Sequence, residues 1–316
     1  MGVFERLNQV AAAAHRIQFG DQDRIVLFSD CHRGDNSWAD DFAQNQNLMY
    51  YALQYYYEQG YTYIEVGDGD ELFEISNFSV IRSAHSHIFN LLKQFYQDNR
   101  LYLLYGNHDI SRRNPMVVRR DFHEKIENMY GRWDPLFPGI TVHEGLFLDH
   151  QPSGASLFLV HGHQGDWFND TLWPVGYLFT RFIWRNLQLI AVQNPNSPAE
   201  SVHKRRRIER KLIHWAQEND QALVCGHTHR PRLPVPGSVP YFNTGSCVFP
   251  RSITGIEIAD GWIKLVQWVV RPDFSRDNAL RIVRRDMGEP QRLTAYFGKP
   301  ETPVESEFLS LDENGW

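Results

Sequence analysis

Short apolar runs, each ended by a glycine-bearing polar cluster, punctuate the chain. Residues 24–29, 61–66, 101–105, 156–160 and 222–225 are rich in β-branched and aromatic side chains. Runs of this length and composition read as buried strands. Helical patterns separate the first three. Asp41 is placed to cap a helix reaching Gln59, with Gly60 as its stop, and the apolar positions Leu48, Met49, Ala52, Leu53 and Tyr56 fall on one face. A second helix is expected over 79–97. The first twenty residues read as a short amphipathic helix. Strand–helix–strand alternation predicts an α/β fold whose site forms beyond the carboxyl ends of the strands.

The pattern changes over 165–220. Two helices and no strand are expected there. The first, 172–192, is apolar nearly all round, with Trp173, Tyr177, Phe182 and Trp184. The second opens on Ser197 as cap, Pro198 in the first turn and Glu200 three residues after the cap, then runs through a basic stretch, 204–207, to Trp215. This block is expected to project over the site as an inserted helical cap on one domain spanning 1–316. Beyond it, 241–244 reads as a strand, and 255–258 with 262–269 as a hairpin turned at Asp260-Gly261. Residues 272–316 are polar with weak periodicity and read as a partly ordered C-terminal extension packed on the surface.

Composition narrows the setting. The chain has 316 residues, is 42% hydrophobic and carries a net charge of -6, so global charge gives no reason to expect a nucleic-acid partner. Cys31, Cys225 and Cys247 are odd in number and scattered. That argues against a disulfide framework and fits a reducing cytoplasm. No h-region of a signal peptide and no uncharged stretch of about 18 apolar residues is present. A cytoplasmic protein with peripheral contact to the inner membrane is the expectation.

The chemistry lies in the clusters that follow the apolar runs: Asp30-Cys31-His32, Gly67-Asp68-Gly69-Asp70-Glu71, Gly106-Asn107-His108-Asp109, His161-Gly162-His163 and Gly226-His227-Thr228-His229. A single His-x-His is usually a loop accident, and a Gly-Asp after a strand is an ordinary turn. Five such clusters in order behind strands are not. In extended chain, residues i and i+2 face one side, so Asp30 with His32, and His227 with His229, can each converge. Asp68 can use its two oxygens to bridge two cations. The division is a first metal on Asp30, His32, Asp68 and His229, and a second on Asp68, Asn107, His161 and His227. Oxygen ligands mixed with imidazoles suit manganese first, with iron and zinc as alternatives. His108 is left facing substrate as proton donor or charge stabiliser, with Asp109 as its orienter. His85, His87, His143, His150, His203 and His214 lack such context and are expected to be structural.

This order of motifs closely resembles the calcineurin-like metallophosphoesterases, whose pattern is D-x-H, G-D, G-N-H-[D/E], H and G-H-x-H. The resemblance spans Asp30 to His229. It implies a four-layer α-β-β-α sandwich, a dimetal centre at the strand ends and attack by a metal-bridging hydroxide. It also selects His161 over His163 as the ligand, leaving His163 beside it or facing substrate. Gly67-Asp68-x-x-Glu71, Gly226-His227-Thr228-His229-Arg230-Pro231 and the helical insertion resemble the UDP-2,3-diacylglucosamine hydrolases. Arg33-Gly34-Asp35 after the first motif and His108 after Asn107 depart from that branch. Arg33 and Arg230 are the cations expected to bind phosphate. The resulting expectation is a dinuclear-metal phosphodiesterase or pyrophosphatase acting on a small phosphate ester or a nucleotide-linked lipid. A phosphomonoesterase, a protein phosphatase and a non-catalytic scaffold of the same fold are the alternatives. The oligomeric state is not legible.

Overall fold

The computed structural model describes residues 2–129, 131–165, 202–273 and 279–296. Two sheets face each other. The smaller has the order β1-β8-β9-β10-β11, built from β1 (His15–Phe19), β8 (Gly145–His150), β9 (Ala155–Val160), β10 (Ala222–Cys225) and β11 (Tyr241–Asn243). The larger has the order β14-β13-β12-β2-β3-β4-β7. Its strands are β2 (Ile25–Phe28), β3 (Thr62–Val66), β4 (Leu101–Leu104), β7 (Val142–His143), β12 (Ser252–Ala259), β13 (Trp262–Asp273) and β14 (Ala279–Asp286), with β15 (Gln291–Arg292) also on β13. A separate ribbon pairs β5 (Ile126–Asn128) with β6 (Gly131–Trp133). Strands β2, β3, β4 and β7 run parallel, as do β9, β10 and β11.

The period-two pattern assigns the layers. In β2, Ile25 and Leu27 point into the core between the sheets, while Val26 and Phe28 point to the outer helices. In β9, Leu157 and Leu159 face inward and Phe158 and Val160 outward. The outer layer on the large sheet is α2 (Gln46–Glu58), α3 (Phe78–Ala84) and α4 (Ser86–Gln97). On the small sheet it is α1 (Val3–Ala13) and, after a single-turn α5 (Pro115–Val118), α6 (Val202–Glu218). The result is the expected α-β-β-α sandwich. Among the described residues, no helix is long and apolar enough to cross a membrane.

Several boundaries differ from the sequence reading. Helix α2 starts at Gln46 rather than at Asp41, because Asp40 accepts from the Phe42 amide at 2.9 Å and closes a turn ahead of it. The single helix expected over 79–97 is two, broken at His85, whose ring is held 2.9 Å from Asp40. The amphipathic N-terminal stretch ends at Ala13 and continues as β1, pairing with β8. Residues 279–286, expected in a loose extension, form β14 in register with β13, its side chains mostly exposed because the strand lies at the sheet edge. Helix α6 buries Ile208, Leu212, Ile213 and Trp215 against the small sheet. That half of the expected cap is therefore a layer of the sandwich. Residues 166–201, with the helix 172–192 and the Ser197 cap, lie outside the described residues, as do 297–316.

Candidate metal centre

All five clusters reach the same edge of the sandwich. The large sheet supplies the turns after β2, β3 and β4, and the small sheet those after β9 and β10. Asp30, His32 and His229 offer ligand atoms that lie within 4.8 Å of one another, and so do Asp68, His161 and His227. His229 Nε2 is 3.1 Å from Asp30 Oδ1. Asp68 Oδ2 lies 3.0 Å from His161 Nε2 and 3.8 Å from His32 Nε2. A single oxygen of Asp68 thus faces both groups. Its other oxygen accepts from the His108 amide at 2.8 Å. The sequence reading gave each cation its own oxygen of Asp68; here Oδ2 faces both groups and Oδ1 also holds a backbone amide.

The convergence does not arise from strand alternation either. Asp30, His32, Asp68, His227 and His229 have φ of 54°, 49°, 51°, 64° and 55°. These left-handed turns curl the backbone so that neighbouring side chains point to one spot. Such conformations cost about 1–3 kcal/mol each in a non-glycine residue and persist only where the surroundings over-determine them. The surroundings here are crowded. A Cβ on Gly67, itself at φ 83°, would stand 2.7 Å from the His161 ring, and one on Gly106 would overlap Asp68. The glycines of the motifs are therefore required by close approach.

Electrostatics match a cation site. Burial alone would raise the Asp30 carboxyl, but the imidazoles of His229, His161 and His32 hold it well below the usual carboxylate range. Asp68 is likewise lowered, against its burial, by His161, His108 and His32. Burial opposes protonation of His161, yet Asp68 and Asp30 push it up to about 9. His161 Nδ1 sits 2.9 Å from the Val66 carbonyl, which leaves Nε2 for the cluster. Asn107 Oδ1 and His32 Nε2 are buried with no hydrogen-bond partner among the described residues. Buried polar atoms are normally satisfied. Unpartnered atoms beside a concentration of carboxylate and imidazole fit divalent ions held by this donor set.

Three expected roles are placed differently. Arg33 is 1% exposed. Its Nη atoms donate to Glu65 at 2.7 and 2.8 Å and its Nε to Asp70 at 2.6 Å, so it is an internal cross-link and is not presented to a phosphate. His163 is fully buried beside His161, with the two ring centroids 5.7 Å apart, which fits the first of its two expected places and leaves it no exposed surface. Burial and the neighbouring imidazoles hold it well below the usual histidine range. Asp109 staples backbone: it accepts from Gly106 N at 2.6 Å and Gly69 N at 3.1 Å. Burial pushes its carboxyl up to about 6, against the pull of Arg112. Arg230 is 44% exposed and 2.7 Å from Glu209.

The orienter of His108 is Glu71. Its Oε2 lies 2.6 Å from His108 Nδ1 and 3.1 Å from His32 Nδ1. His108 and His32 share this carboxylate: burial would raise Glu71, but the two imidazoles lower it to about 2. Burial opposes a charged His108, and Glu71 reverses that and raises it above the ordinary value. Sequence reasoning quoted Glu71 as part of a motif and gave it no role. Asp70 was quoted in the same motif, likewise without a role, and Glu65 and Arg112 were missed altogether. The available signal was a lone Glu65 inside an apolar strand, since a buried charge demands a partner.

Comparison with known proteins agrees with this geometry. No curated protein matches the sequence. Among solved structures, Vps29 from Chaetomium thermophilum is similar at a TM-score of 0.36 and 11% identity, over 84% of this chain and 95% of that one. A likeness of that size carries no functional argument. The profile of the calcineurin-like phosphoesterases matches residues 23–231, which takes in all five clusters. The chain therefore belongs to the calcineurin-like phosphoesterase family.

Proposed function

We propose that the chain is a dinuclear-metal-dependent phosphoesterase that hydrolyses a phosphodiester or pyrophosphate bond. The observation that carries this reading is Asp68 Oδ2, placed 3.0 Å from His161 and 3.8 Å from His32 so that one carboxylate oxygen addresses both ligand groups. Asp30, His32, Asp68 and His229 would hold one cation, and Asp68, Asn107, His161 and His227 the other. Two bound divalent ions supply polarisation of phosphoryl oxygens and a water acidic enough to attack near neutral pH. Manganese is our first candidate.

The remaining chemistry belongs to side chains. His108 is 27% exposed on its side chain and held by Glu71, so it meets substrate with a raised proton affinity. An imidazolium there protonates the leaving oxygen or stabilises charge on the phosphoryl oxygens. Arg230, next to His229 in the chain and half-exposed, would take a second anionic group. Among nucleotide-linked lipids, UDP-2,3-diacylglucosamine would be the first to try, on the strength of the motif resemblance.

The test is a panel of aryl phosphate mono- and diesters, nucleotide diphosphate sugars and UDP-2,3-diacylglucosamine, run with manganese after chelation. Diester or pyrophosphate cleavage that vanishes on chelation and in Asp68→Asn is expected. Cleavage of monoesters alone, or turnover indifferent to chelation, overturns the reading.

A further inference from the structure

Helix α6 meets the candidate centre with its N-terminal half. After a turn at 219–221 the chain enters β10, so the helix runs back along that strand, and β10 leads into Gly226 and His227. Ile208 packs on Gly165, in the turn after His161, and Lys211 donates to the Gly165 carbonyl at 3.3 Å. Glu209, 3% exposed, reaches the ligand loop itself. One of its oxygens accepts from Thr228 Oγ1, between His227 and His229, at 3.0 Å. The other accepts from Arg230 Nη1 at 2.7 Å. Each oxygen of this buried carboxylate thus has its donor.

Arg205 stands one helical turn before Glu209. Residues i and i+4 share a helix face, so Arg205 lies on the face that carries Glu209 to Arg230. Burial and then Arg230 lower its proton affinity, and Glu209 acts the other way. Arg205 Nε is shielded from solvent and has no hydrogen-bond partner among the described residues. An ordinary surface guanidinium gives its N–H groups to water. This Nε gives its proton neither to water nor to protein, and an unmade bond from a charged donor is costly. Arg205, Arg230 and Glu209 together carry one positive charge in excess, next to His229. The Nε and Nη groups of a guanidinium form a planar fork that matches the oxygens of a phosphate.

We propose that Arg205, together with Arg230, binds a second phosphate group of the substrate, one that is not attacked at the metal centre. The inference rests on the phosphoesterase reading and narrows its substrates to pyrophosphates and to phosphodiesters with a phosphorylated arm. Glu209 is the positioning residue of this subsite. It holds Arg230 and the loop of His227 and His229 with one side chain, so the fold fixes the second phosphate relative to the first.

The experiment compares two p-nitrophenyl phosphodiesters that differ at the end of one arm, the 2-phosphoethyl and the 2-hydroxyethyl ester. In the manganese-loaded enzyme, kcat/KM for the phosphorylated ester is expected to exceed that of the hydroxyl ester about tenfold or more, the worth of one charge-assisted contact. Arg205→Gln should bring the ratio toward one by raising KM for the phosphorylated ester, with kcat held. Arg205→Lys, which keeps the charge and loses the fork, should restore only part of the ratio. Arg205 is partly exposed and lies off the packed positions Ile208 and Leu212, so both variants should fold. Equal rates for the two esters in the wild type, or a ratio that Arg205→Gln leaves intact, overturn the inference. Should neither ester be cleaved, the phosphoesterase reading fails. Calorimetry of inorganic pyrophosphate with the full-length protein as purified then decides the subsite: weaker binding by Arg205→Gln than by the wild type upholds it, and equal or absent binding ends it.

Discussion

The two sheets support the same centre by different means. Behind the turns of the large sheet runs a buried chain of charge: Glu65 to Arg33, Arg33 to Asp70, Asp70 to Arg112 at 2.5 Å and Arg112 to Asp109 at 3.5 Å. Behind the turns of the small sheet the supports are mostly neutral, with one buried carboxylate, Glu209, paired to Arg230 at 2.7 Å. Asn243 donates to the Gly226 carbonyl at 2.7 Å and accepts from Gly245 N at 2.9 Å, while Thr228 donates to Glu209 at 3.0 Å. The large sheet also carries Glu71 and His108, the pair that would handle a proton, whereas the small sheet contributes imidazoles alone. The difference teaches a division of labour. On the proposed reading, metal retention would depend on both sheets and proton delivery on one, and the electrostatic cost of holding the site would fall mostly on that same one.

The largest expected effect tests proton delivery. His108→Ala should retain both metals by elemental analysis and lower kcat by about 10²–10⁴, the usual worth of a positioned acid or base. The matching Glu71→Gln should lower kcat less, since His108 stays but loses the carboxylate that raises its proton affinity. Loss of metal from the His108→Ala protein would break the division, because His108 would then be a ligand and not the proton carrier.

Much of this was legible in the sequence, and the failures share a cause. The strand ends and the clusters behind them followed from apolar runs with glycine stops, so all five clusters were located correctly along the chain. The reason given for their convergence was wrong. Extended alternation cannot describe Asp30 and His32 at φ 54° and 49°. Left-handed turns leave only the weak signature of Asp, Asn or His near glycine. Arg33 and Asp109 were read by their proximity to motifs, yet sequence adjacency does not say on which side of a turn a side chain emerges. Their partners Glu65 and Gly69 lie about thirty to forty positions away, at |i−j| of 32 and 40. Strand β14 escaped because an edge strand with water on one side needs no apolar period.

The next test sets the two supports against each other. Arg33→Met removes the cation shared by two buried carboxylates and leaves Glu65 uncompensated inside the sandwich. Removing one partner of a buried pair costs about 3–5 kcal/mol. Asn243→Ala, also fully buried, deletes hydrogen bonds to backbone and should cost about 1–3 kcal/mol. Urea unfolding of the metal-free proteins reads both. Glu65→Gln added to Arg33→Met should recover part of the loss, since the stranded charge goes with it. If the two single variants were equally destabilised, the asymmetry between the sheets would be one of appearance only.

The smallest effect lies where the sheets meet away from the centre. His15 on β1 and His143 on β7 stack with ring centroids 5.2 Å apart and an interplanar angle of 16°. Burial, and then His15, lowers His143 from 6.5 to about 4. A histidine held neutral in the fold takes up its proton more readily when unfolded. Its contribution is therefore fully present above pH 6.5 and is lost as pH falls toward 4. Half-exposure of the ring lets solvent screen much of this, so the expected signal is small. Replacing it with a side chain that does not titrate, His143→Gln, should flatten the fall of Tm of the chelated protein over that window by about 1–2 °C. His15→Gln should act in the same direction by less, since it removes only the second of the two causes. An unchanged slope in His143→Gln would assign the acid sensitivity to the buried carboxylates of the large sheet, and the seam would then contribute packing without charge.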